Sequence, residues 1–257
     1  MTALLASEVR RLSSRRLLRV VAGLAVLSIA IATVIVAVRS TGGPAPFGDR
    51  RFHLTLLTSV LGGISPILII ASWLLGASFI GAEWHAGSLA TLMTWEPRRL
   101  RMIVAKLIAC VGVVFVLVML IQLLLGGGLA VVAALRGTVE GVDAAWVRTT
   151  IGVATRVAAL SGLGAALGFA IASIARNTAA ALGVGFAYTM VVENLIRGLR
   201  PGWVRWLMAD NGFVFITGHG PSPSFGRTIL QAGFLLAAYV AAALVVAIAF
   251  FRARDVN

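Results

Sequence analysis

Residues 81–106, GAEWHAGSLATLMTWEPRRLRMIVAK, set two carboxylates, a histidine, two tryptophans, a proline and four cationic side chains between long apolar runs. Lys106, which closes the stretch, is the only lysine in the chain. Residues 83–95 contain no proline and suit a helix of about three turns, with Leu89, Leu92 and Met93 on one face. Pro97 ends that helix, and the following arginines face lipid headgroups or a protein. A plain connector needs only the charges; a helix with its own apolar stripe points to something docking there.

Three more polar groups lie within apolar runs. Charges inside a membrane span are expensive and mark transport pathways by default, so Arg156 and Glu193 are pathway candidates, with Gln122 the lone strongly polar side chain of its run. Arg156 and Glu193 fall at similar depth. They either pair and hold one half of the molecule together, snorkel separately to the interface, or touch a substrate. Enzymatic chemistry has less support. His53, His85 and His219 fall on different loops with no H-E-x-x-H, no close pair of span-embedded aspartates exists, and no metal-ligand set is spelled out. Cys110 is the single cysteine, so no internal disulfide can form.

The elements that must position these groups follow from composition. The 257 residues are 60% hydrophobic and 12% charged, with a mean hydropathy of +0.99. A soluble domain carries about 25% charged residues, so this chain belongs in lipid. A bilayer core about 30 Å thick needs roughly 20 apolar residues per helix. Six segments qualify, near 18–38, 57–81, 103–134, 151–175, 178–196 and 229–251. The fold expected is an all-α membrane protein, a single transmembrane domain over 1–257.

Pro66 should bend the second span, and Gly126-Gly127-Gly128 should break the third. Gly164-x-x-x-Gly168 and Gly183-x-Gly185 suit close helix packing. Residues 1–19 read as an amphipathic helix on the membrane surface, with Leu5, Val9 and Leu12 on one face. Residues between the fifth and sixth spans are long, aromatic and turn-rich, with Trp203 and Trp206 fitting an interfacial belt. A signal peptide is not expected, because the first apolar run is too long and lacks a cleavage site.

The net charge of +13 is not spread along one polar face, which argues against nucleic acid. With both termini cytoplasmic, the inner side carries Arg10, Arg11, Arg15, Arg16, Arg19, Arg98, Arg99, Arg101, Lys106, Arg176, Arg252 and Arg254. The outer side then carries Arg39, Arg50, Arg51, Arg136, Arg148, Arg197, Arg200, Arg205 and Arg227. The difference is modest, but five arginines precede the first span, which usually sets orientation.

The pattern Glu83-x-x-x-Gly87-Ser88-Leu89-x-x-Leu92-Met93, followed by Pro97-x-Arg99 and Lys106, resembles the signature of type-2 ATP-binding-cassette (ABC) exporter permeases of bacteria. The family's usual threonine is Ser88 here, and Arg98 replaces a small residue. The resemblance extends to six spans, an N-terminal amphipathic helix with Glu8 near basic residues, and a short inner turn at Arg176-Asn177. It implies that residues 83–95 are a cytoplasmic coupling helix, with Glu83, Gly87, Ser88, Leu89, Leu92, Pro97, Arg99 and Lys106 serving coupling to an ATPase.

The chain has no G-x-x-x-x-G-K-[ST] loop, so ATP and Mg would bind a separate ATPase subunit and this chain would bind no cofactor. A second permease copy, identical or not, would complete the conduit in the inner (cytoplasmic) membrane. Export of a hydrophobic or amphipathic drug, lipid or peptide is the function implied. A secondary transporter, which would usually show internal repeats and more spans, is the rival reading. An intramembrane enzyme stands behind it.

Overall fold

The computed structural model describes residues 2–40, 51–85, 99–220 and 225–253. Six helices are long and apolar enough to cross a membrane. A short α1 (Thr2–Ser13) precedes α2 (Arg16–Arg39), α3 (Leu57–His85), α4 (Arg99–Arg136), α5 (Ala144–Ala175), α6 (Thr178–Leu199), a smaller α7 (Met208–Thr217) and α8 (Ile229–Ala253). Among the described residues there is no strand, only an isolated parallel bridge between His53 and Thr138.

The third span runs unbroken through Gly126-Gly127-Gly128, which corrects the expected break. Each interior glycine costs a helix about 1 kcal/mol. Unpaired backbone groups in hydrocarbon cost several kcal/mol each, so the helix persists. With 38 residues, α4 is about 57 Å long and extends well past the bilayer core. Its glycines serve contact instead: a Cβ on Gly128 would lie 2.9 Å from the Thr33 hydroxyl of α2.

Pro66 sits inside an uninterrupted α3. Its missing N–H would leave the Gly62 carbonyl without a donor, and the Ser65 hydroxyl donates to that carbonyl at 2.6 Å.

At the centre is α5, buried along most of its length against α3, α4, α6 and α8. Small residues let α3 and α5 touch backbone to backbone. A Cβ on Gly76 would overlap the Ala165 carbonyl, and one on Gly168 would overlap that of Trp73. The Thr58 and Thr150 hydroxyls bond across the same pair at 2.7 Å. Of Gly183-x-Gly185, only Gly185 is a contact, under the Trp73 ring.

Asp143 caps α5 by accepting from the Trp146 N–H, and the helix ends at Arg176 in the left-handed region. Asn177 then accepts from the amides of Ala179 and Ala180 to start α6. This two-residue turn forces α5 and α6 to lie antiparallel. Midway, α6 widens into a π-helical segment at Ala187–Val192.

Where a turn-rich connector was expected after the fifth span, a 3₁₀ turn at Pro201–Trp206 leads into α7. Gly218, at φ 79°, ends α7 in a conformation that favours glycine.

Candidate functional site

In α1 the sole acid, Glu8, is buried together with Leu12, while Arg10 and Arg11 are exposed. The chain then turns, and Arg15 stands extended (φ −66°, ψ 136°) before α2 begins. This releases the Arg15 side chain from either helix and lets it reach α3. One guanidinium nitrogen donates to the Ser78 carbonyl at 3.0 Å and another to Glu83 Oε1 at 3.1 Å.

Glu83, in the last turn of α3, and Lys106, in the second turn of α4, meet in the interior. Lys106 is fully buried. Its Nζ lies 2.8 Å from Glu8 Oε2 and 3.0 and 2.8 Å from the two oxygens of Glu83. Arg11 completes the group, 3.6 Å from Glu8 and 4.0 Å from Glu83. The Phe79 ring is shared by both cations, with the Arg15 guanidinium 4.9 Å and the Lys106 ammonium 5.2 Å from its centroid.

Two carboxylates and three cations thus join α1, the start of α2, the end of α3 and the start of α4. Each charge is expensive to bury alone, and removing one partner of such a pair costs about 3–5 kcal/mol. The arrangement fits a mechanical joint. Both carboxylates and Lys106 are committed to one another.

Beside the joint, Trp84 makes an edge-on contact with Phe251 of α8, at 5.9 Å between centroids. The Arg176 guanidinium stacks 4.4 Å from the Trp84 ring. A Cβ on Gly81 would collide with Thr178. One end of the molecule, hereafter the near end, therefore gathers α1, both flanks of residues 86–98, the α5–α6 turn and the end of α8. Gly87, Ser88, Leu89, Leu92 and Pro97 lie outside the described residues. Arg99 opens α4, though its side chain is not among those described.

The three embedded polar residues are not brought together. Arg156 donates from Nε to the carbonyl of Gly152 on its own helix. Glu193 is fully buried and accepts from the amides of Met208 and Ala209, at 2.7 and 3.1 Å, anchoring the start of α7. Pairing was one of three readings open for Arg156 and Glu193; here Arg156 bonds to its own helix, while the N-terminus of α7 supplies Glu193 with two N–H donors. Gln122 donates to the carbonyls of Val118 and Ala154, tying α4 to α5, and its own carbonyl oxygen is buried without a partner.

Among the described residues, no three His, Cys, Asp or Glu side chains are grouped as metal ligands. Sequence reasoning singled out Glu83 and Lys106 but missed Arg11, Arg15, Phe79 and Arg176 as their neighbours. The available signal was scarcity. With nine acids in 257 residues, an acid embedded in an arginine-rich helix, as Glu8 is, has a specific partner to find.

The family model described as ABC-2 family transporter protein matches residues 4–192, which include the whole joint, the first four spans and most of the fifth. No curated protein matches the chain.

Proposed function

We propose, for a chain that belongs to the ABC-2 family of transporter proteins, the role of a permease subunit driven by a separate ATP-binding-cassette ATPase. The near end is cytoplasmic in this reading. The segment around residues 83–95 is the coupling helix, with Leu89 and Leu92 filling a groove of the ATPase and ATP and Mg held by that partner. Two permease copies enclose the conduit in the cytoplasmic membrane, and the cargo is a hydrophobic or amphipathic molecule moved outward.

The observation that supports this reading best is the buried Glu8–Lys106–Glu83 joint. A loop that only connects two spans needs no such base. A loop that receives force from a moving partner needs its two stems held at fixed separation and tied to the surface helix. Glu83 and Lys106 are those stems. When residues 86–98 are displaced, the ends of α3 and α4 and the whole of α1 must move with them.

The test is co-purification of the ATPase and its stimulated activity with Leu89→Asp. The variant is expected to insert and fold but to lose its ATPase, since losing one such anchor to a buried charge costs about 2 kcal/mol or more of association. Full retention of a stimulated partner would refute the docking role.

A further inference from the structure

The far end, opposite the termini, carries arginines that the transport reading does not use. Arg197 pairs with Asp210 at 2.9 Å. Arg200, Arg205 and Arg227 have no acidic partner among the described residues. Two of them converge: the guanidinium of Arg227 lies 5.0 Å and that of Arg205 lies 5.7 Å from the centroid of the same Trp206 ring.

Arg227 is held from behind. Asn211 is fully buried, and its amide nitrogen donates to the carbonyls of Arg205 and Leu207, at 2.9 and 2.7 Å. That fixes its Oδ1, which accepts from Arg227 at 3.3 Å. The Tyr239 hydroxyl donates to the Trp206 carbonyl at 3.0 Å, securing the indole segment to α8. The guanidinium is therefore pre-positioned, with most of its five N–H donors uncommitted among the described residues.

Arg227 also lines a shallow, open groove together with Gln231, Phe234 and Leu235. The Gln231 carbonyl oxygen accepts from the Thr228 N–H, leaving its amide N–H₂ as a second donor at the rim. Seven residues on from Arg227, in the first turns of α8, Phe234 is 76% exposed.

We propose that this groove binds an anionic phospholipid, its phosphate on the Arg227 guanidinium and the first segment of its chain against Phe234 and Leu235. Charge and apolar surface agree. A guanidinium fork matches a phosphate bidentately, and the neighbouring Phe234 and Leu235 offer apolar surface to the first methylenes of a chain. The surface beside the charge is apolar, at Phe234 and Leu235, which a free anion would not need. The two cations concentrated at one indole balance a net negative headgroup, whereas a zwitterion would bring its own cation.

The experiment is native mass spectrometry of the full chain released from micelles holding equal phosphatidylglycerol and phosphatidylcholine. The wild type is expected to retain phosphatidylglycerol selectively. Arg227→Gln should lower that retention about tenfold, the loss of a charged fork. Phe234→Ser, at a site too exposed to unfold the chain, should lower it severalfold, and Arg200→Gln should leave it unchanged.

Equal retention of the two lipids would mean an ordinary lipid shell and would overturn the proposal. Unchanged selectivity in both Arg227→Gln and Phe234→Ser would do the same. If excess inorganic phosphate strips the lipid, the site reads the phosphate alone, and the assignment to a phospholipid fails.

Discussion

Lys106 is the residue on which most of the near end depends. Buried and surrounded by Glu8 and Glu83, it has no route to water if its partners go. Lys106→Met should lower stability by about 3–5 kcal/mol, because two carboxylates are left competing for Arg11 and Arg15. Unfolding in detergent would measure it. The double variant Lys106→Met with Glu8→Gln should recover part of that loss, and strict additivity would show that the two side chains are not coupled. Glu193→Gln should cost less, about 1–3 kcal/mol, since it weakens bonds to backbone amides rather than stranding a charge. Glu83 and Lys106 were legible from their odd company in an apolar chain. Their geometry was not, because Arg15 sits between two helices and only its extended backbone sends it to Glu83. The sequence leaves open whether Arg156 and Glu193 pair, for a related reason. Depth along two spans says nothing about a short helix such as α7 arriving from the side with free amides.

Spans were readable as elements, since runs of about 20 apolar residues have no other stable home. Breaks within them were not, because propensity learned from water understates how strongly hydrocarbon enforces a helix. Glycine contacts sort the same residues by consequence. Gly76→Val must push apart the α3 and α5 backbones, since its Cβ would overlap the Ala165 carbonyl. We expect a loss of at least about 1–3 kcal/mol, the usual range for overpacking. Gly127→Ala and Gly183→Ala meet nothing within 4 Å. Each should leave stability unchanged or raise it by up to about 1 kcal/mol through helix propensity. Thermal unfolding of the three variants checks the set, and a destabilised Gly127→Ala would argue against the continuous α4.

For the whole molecule, the arrangement places α1, the Arg176-Asn177 turn and the end of α8 on one face, with the Thr138 and His219 connections on the other. In a Cys110→Ser background, single cysteines at Ser13 and Asn177 should label from one side of the membrane, and those at Glu140 and His219 from the opposite side. Labelling of Ser13 and Asn177 from different sides would break the topology. Which side is cytoplasmic was only weakly written in the arginines, because Arg200, Arg205 and Arg227 load the far end with charge that helix orientation does not require. The joint also has an order in time. Its members, Glu8, Arg11, Arg15, Phe79, Glu83 and Lys106, all precede α5, the helix against which α3, α4, α6 and α8 pack. A chain made from its N-terminus can close the salt cluster while the centre of the protein is still unsynthesised. Glu83 and Lys106 can neutralise each other as the α3–α4 hairpin enters the bilayer, and α1 can be captured from the surface once Lys106 is in place. The joint can thus be complete before the last three spans are made, and the later helices pack onto an end of the molecule that is already tied together.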